Sequence, residues 1–252
     1  MSSPRGTDAL PNQALNRFLE RIRVSYSHDL RTPLSTIVNY AAVLETHKSD
    51  NPEAVRDLGR RIRENALRTA RMVQHMAVAT GLASRALQTS PADLAALGRA
   101  VLVASGGRGE VKLLDASTAT ASVDQEVLSF IWRAYVAVEV DAAASPLHSV
   151  DLRVRASASE VTIELSHGIE DASAVPELIE LQGYARQNTG ASRMECSMAL
   201  HLAQDLLLCH GGELSVWGRA GSASGLRLRM PVQAATSLAP AAPVANNSAG
   251  GR

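Results

Sequence analysis

The chain has 252 residues, enough for one large domain or two small ones with a real core. Its 46% hydrophobic and 20% charged content is ordinary for a globular protein, and 25 basic residues balance 25 acidic ones, so no global charge favours nucleic acid or an anionic membrane. Cys196 and Cys209 have neither metal-ligand spacing nor a disulfide framework, no apolar run approaches the roughly 18 residues of a membrane span, and Met-Ser-Ser-Pro-Arg is not a signal-peptide core. These features predict a cytoplasmic protein with no metal of its own.

Residues 1–11 are polar with two prolines and are expected to be disordered. From about Asn12 to His47, Leu15, Leu19, Ile22, Leu30, Leu34, Ile37, Ala41 and Leu44 recur at threes and fours, which predicts one helix with a single apolar stripe. His28 falls off that stripe, on the exposed side, with Asp29 directly after it and Thr32 one turn on. Imidazole can be a neutral nucleophile near neutral pH, and Asp29 can take its proton or hold its tautomer. Pro33 is expected to bend the helix just past the histidine.

Asn51 and Pro52 read as a cap and first helical position, opening a second helix that runs to about Thr80. A short turn makes the two helices antiparallel, and each carries a stripe too long for one partner to cover. The second helix also bears Arg56, Arg60, Arg61, Arg63, Arg68 and Arg71; they make either a solvated face balanced by Glu53, Asp57 and Glu64, or a docking surface for an acidic partner. After Gly81 the pattern predicts a short helix from Pro91-Ala92-Asp93-Leu94, a strand at Val111–Leu114, a helix from about Val123 to Ala143, and strands at 150–156 and 160–166. A helix from Cys196 to Cys209 stops at His210-Gly211-Gly212. Strands at Glu213–Trp217 and Leu226–Pro231 follow, and from residue 234 the composition is that of a disordered tail.

The continuous string Ser27-His28-Asp29-Leu30-Arg31-Thr32-Pro33-Leu34 resembles the H-box of the sensor histidine kinase family. The ending His210-Gly-Gly-Glu-Leu-Ser-Val, followed by Gly225-Leu-Arg-Leu-Arg-Met-Pro, resembles that family's ATP-binding domain. The resemblance implies residues 12–84 as a helical hairpin that dimerises into a four-helix bundle with His28 as phosphoacceptor, and residues 88–233 as an α/β sandwich of the histidine-kinase type. About a dozen residues precede the first helix, so the input domain most sensor kinases carry there is not expected.

The family's nucleotide site is expected to be degenerate here. Its two Mg²⁺-binding asparagines fall on Ala134 and Val138, and no asparagine lies between Asn65 and Asn188. Glu139 or Asp141 could ligate a cation only in a rebuilt site. The adenine-binding aspartate falls on Glu164 when counted from the last glycine, or on His167 by strand phase. The glycines opening the last helix fall on Ser197 and Ala199, and the lid keeps only Gly183 and Gly190 of its usual glycines, beyond Gly168.

The resemblance then implies a phosphorelay protein: a histidine phosphotransferase passing a phosphoryl group between receiver-domain aspartates through His28, without ATP and with Mg²⁺ supplied by the receiver. Arg31, Arg60 and Arg63 are the candidate partner contacts, and Thr32 a candidate for docking or phosphatase action. The partners implied are a second copy, response regulator receiver domains and a hybrid histidine kinase; nucleic acid and membrane are not. Two alternatives remain, a divergent active kinase with Asp29 as base, and a non-catalytic or phosphatase regulator of a response regulator.

Overall fold

The structure, a computed structural model, describes residues 9–46, 51–106, 110–114, 120–142, 149–157, 159–167, 178–179, 193–218 and 224–231. The expectations for Gly168, Gly183, Gly190, residues 1–8 and the tail from 234 lie outside the described residues.

The N-terminal part is a helical hairpin. Helix α1 (Ala9–Arg21) begins earlier than the stripe suggested, because Pro11 falls in its first turn, where a missing N–H costs nothing. The predicted continuous helix is interrupted by a π-helical turn at Ile22–Tyr26 before α2 (Ser27–Thr46) starts. The Ser27 hydroxyl donates back to the Arg23 and Val24 carbonyls, serving acceptors of the wider turn. The irregularity therefore precedes His28, and α2 runs on through a buried Pro33. Helix α3 (Pro52–Ala83) is capped as its sequence predicts, Asn51 Oδ1 accepting from the Glu53 and Ala54 amides at 3.0 and 3.4 Å.

The C-terminal part is an α/β unit. The predicted helix at Pro91 is preceded by a strand: β1 (Ser90–Asp93) pairs antiparallel with β3 (Thr120–Val123), and Asp93 caps α4 (Leu94–Ala104) by accepting from the Ala96 amide. The larger sheet adds β2 (Glu110–Leu113), β4 (Ser149–Ala156), β5 (Glu160–His167), β6 (Leu178–Ile179), β7 (Glu213–Gly218) and β8 (Ser224–Pro231) in the order β2-β4-β5-β8-β7-β6. Among the described residues, only β2 and β4 pair parallel within it. Helices α5 (Gln125–Ala142) and α6 (Arg193–Cys209) complete the unit. The period-two pattern places Val150, Leu152 and Val154 of β4 and Val161, Ile163 and Leu165 of β5 in the core, with Leu128, Ile131, Trp132, Leu202, Leu206 and Leu207 from the helices.

At the β7–β8 pair, Gly225 lies opposite Trp217, and a Cβ there would overlap the indole. Gly225→Ala is expected to destabilise the protein by about 1–3 kcal/mol, read as a lower urea midpoint.

The two parts share one core. Phe18 of α1 is 1% exposed, and Met72, Ala79 and Leu82 of α3 join the sandwich residues. Arg21 Nη1 donates to Asp205 Oδ1 of α6 at 2.6 Å. At the joint after α3, Arg85 grips the buried Asp124 with both guanidinium nitrogens and reaches Glu126 at 2.9 Å, while His210 Nε2 donates to the Leu82 carbonyl at 3.1 Å. Burial pushes the Asp124 carboxyl up, but Arg85 and the amides of Gln88 and Val127 outweigh it and hold it below the ordinary aspartate value. Burial holds His210 below the ordinary imidazole value against the pull of its bond to Leu82.

Both groups contribute stability with the same sign. Each folded value is depressed, so each contribution is complete above the unfolded value and is lost as the pH falls toward the folded one. The urea midpoint is expected to drop first as the pH falls below about 6.5, through His210, and again below about 4, through Asp124. His210→Gln should remove the first drop and leave the second.

Candidate functional site

In the first turn of α2, the His28 side chain is 76% exposed. Its Nδ1 faces Asp29 Oδ1 at 3.7 Å, beyond a hydrogen bond but close enough for the carboxylate to favour an Nδ1 proton. That leaves Nε2, on the opposite edge of the ring, as the nucleophile. Arg31 and Thr32 are exposed on the same stretch, and the Thr32 carbonyl accepts from the Thr36 hydroxyl at 3.0 Å.

Arg60 and Arg63 do not share one environment. Arg60 donates to Asp57 and, at 2.9 Å, to Glu64; Arg61 donates to Asp57 at 2.7 Å and lies over the Tyr40 ring. These i,i+3 and i,i+4 pairs favour the solvated-face reading for that part of α3. Arg63 is exposed, with no hydrogen bond or ion pair to other described residues.

The second set of predicted positions lies in the sandwich. Ala134 and Val138 on α5 are 4% and 2% exposed, Ala199 on α6 is buried, and Ser197 is half-buried. Strand phase separates the two candidates for the adenine position. Glu164 points to the outer face of the sheet, where it accepts from Arg227 Nε at 2.8 Å and Arg153 Nη1 at 3.4 Å. His167 points to the helix layer, at the end of β5. There its Nε2 meets Glu139 Oε2 at 2.5 Å, the Ser224 hydroxyl donates to Glu139 Oε1 at 2.7 Å, and Ser224 lies 3.2 Å from the His167 ring nitrogen. The Tyr135 hydroxyl closes the cluster 3.1 Å from Ser224 Oγ. All four residues are buried, and burial together with the Glu139 charge pushes the Tyr135 hydroxyl well above its ordinary value.

Sequence reasoning named Glu139 and His167 separately and missed both their pairing and the other two members. Tyr135 and Glu139 lie four apart on one face of α5, and β8 reaches Ser224 opposite His167, so a longer β8 in register would have revealed the cluster. Among the described residues no group of three His, Cys, Asp or Glu side chains could hold a metal, and no helix is long and apolar enough to cross a membrane.

The described residues thus combine an exposed histidine on a helical hairpin with a mixed-sheet α/β sandwich. Residues 25–79 match the His Kinase A (phospho-acceptor) domain. The fold is similar to that of the Acinetobacter baumannii histidine kinase AdeS, with a TM-score of 0.53, 11% identity, and 82% of this chain and 98% of that one covered. It is also similar to histidine kinase ThkA, solved in complex with response regulator protein TrrA, with a TM-score of 0.57, 12% identity, and 91% of this chain and 68% of that one covered. No curated protein sequence matches. The phospho-acceptor match covers residues 25–79, and the likeness of the rest of the chain to these histidine kinases is one of fold.

Proposed function

We propose that this chain is a dimeric histidine phosphotransfer protein that relays a phosphoryl group between receiver-domain aspartates and does not use ATP itself. The observation that carries this reading is the buried Glu139–His167–Ser224–Tyr135 cluster, which occupies the position where the family resemblance requires a carboxylate open to adenine. Ala134 and Val138, with no oxygen to offer a cation, support the same reading. In the forward step His28 Nε2 attacks the phosphorus of a receiver's aspartyl phosphate. The N–P bond forms as the O–P bond breaks, the aspartate carboxylate leaves, and the proton stays on Nδ1 beside Asp29. The reverse step loads a second receiver.

A response regulator as partner fits the ThkA–TrrA complex. A second copy as partner fits the exposed apolar residues of the hairpin, among them Leu34, Val38, Val55, Leu67 and Val73. The test mixes the full chain with a ³²P-labelled phospho-receiver and, separately, with γ-³²P-ATP and Mg²⁺, and follows ATP binding by calorimetry. Label is expected at His28 from the receiver alone, with no ATP heat. Label from ATP would make the chain a divergent kinase and overturn the reading. The exposed Thr32 one turn past His28 favours a second activity, loss of phosphate from the partner, which Thr32→Ala would remove while His28 loading persists.

A further inference from the structure

Helices α1 and α2 pack on different partners. Phe18 of α1, 1% exposed, joins the sandwich core, and Arg21 one turn on donates to Asp205 of α6 at 2.6 Å, so this face of α1 is fixed against the sandwich. Helix α2 packs along α3 and carries His28 exposed at its start. An unbroken helix does not satisfy both. At about 100° per residue, it sets Leu30 about 120° around from Phe18 and His28 only about 80° from it, on the flank of the docked face. The π turn at Ile22–Tyr26 takes up one residue. The count then brings Leu30 within about 20° of Phe18 and sends His28 about 180° away, opposite the docked face. Leu30 does pack against the same core as Phe18, and His28 is 76% exposed.

A π turn inside an α-helix is one amide short, because the extra residue leaves a carbonyl on its rim with no backbone N–H to accept from. The Ser27 hydroxyl fills that role, donating to the Arg23 carbonyl and, at 3.3 Å, to the Val24 carbonyl. Without the hydroxyl the regular α turn, which pairs every group, becomes the better state.

We propose that Ser27 is a positioning residue for phosphoryl transfer: through the π turn it sets the phase between α1 and α2, so that the helix stays docked on the sandwich while presenting His28 away from it. The histidine is thereby offered to an incoming partner and not to the sandwich of its own chain. Its role in transfer rests on the proposed loading of His28 by a receiver; its role in the phase does not.

The test compares Ser27→Ala, Ser27→Thr, deletion of the exposed Val24, and Ser27→Ala combined with that deletion, each in the full chain. Two quantities are measured: single-turnover loading of His28 from a ³²P-labelled receiver, and amide hydrogen exchange across α1, which needs no receiver. Ser27→Ala is expected to slow loading about ten-fold at saturating receiver, with the half-saturating concentration unchanged, and to speed exchange in α1 by a similar factor. Ser27→Thr keeps a hydroxyl in place and should behave as wild type. Deleting Val24 leaves four of the five residues of the turn, enough for a regular α turn with the same phase. That chain should load and exchange as wild type, and Ser27→Ala should have no effect in it. A residue that only adds stability would not be rescued by shortening the helix. Exchange in α1 that Ser27→Ala leaves unmoved, or that the Val24 deletion fails to restore, would overturn the proposal. If the wild-type chain takes no label from a receiver, the relay function falls, and exchange in α1 still decides the role of Ser27.

Discussion

His28→Gln is expected to abolish phosphoryl loading from a phospho-receiver, a loss of at least about 10³-fold in rate, while changing stability by no more than about 0.5 kcal/mol. The separation of the two effects follows from exposure. The ring is 76% exposed and contributes little packing, yet it supplies the atom that forms the N–P bond. Asp29→Asn should keep the site loaded but slow transfer by about 10²-fold, because an amide still sits 3.7 Å from Nδ1 but no longer favours its proton. Single-turnover transfer of ³²P between a labelled receiver and the chain measures both. Retained loading in His28→Gln would move the phosphoacceptor elsewhere. Unchanged rates in Asp29→Asn would reduce Asp29 to a surface residue.

The hairpin and its histidine were legible because their signals are local. Threes-and-fours spacing, the Asn51-Pro52 cap and the string Ser27–Leu34 each lie within a few turns of chain, and the structure keeps them. The sandwich was legible where burial alternates over six or more residues, as in β4 and β5. It was not legible in β1 and β3, four residues each without sustained alternation, which form because they pair with one another. The π turn was hidden for a similar reason, since a stripe with one extra residue per turn still looks helical over five positions. The buried cluster was hardest. His167 is 28 residues from Glu139 and 57 from Ser224, so their meeting depends on strand register rather than on any local spacing. Once the phase of β5 is known, Glu164 is assigned to the outer face and His167 to the helix layer without further choice.

That cluster should carry the largest stability effect in the chain. Glu139→Leu leaves the buried His167 imidazole and the Ser224 hydroxyl without the carboxylate they meet, and is expected to cost about 3–5 kcal/mol. His167→Leu strands Glu139, which is 0% exposed, and should cost a similar amount. The double variant Glu139→Leu/His167→Leu removes both polar partners from a buried site and should recover most of that loss, a coupling of at least about 2 kcal/mol in urea denaturation at neutral pH. Additive losses would mean that the two side chains are not energetically paired. The same logic separates a blocked nucleotide site from a missing one. Glu139→Ala/His167→Asp would open space and restore a carboxylate at the end of β5, yet Ala134 and Val138 still offer no oxygen to Mg²⁺. Calorimetry on this variant is therefore expected to show adenosine binding at most, with no gain on adding phosphates and Mg²⁺. Tight Mg-ATP binding would instead show that the Glu139–His167 pair alone stands between this chain and kinase chemistry.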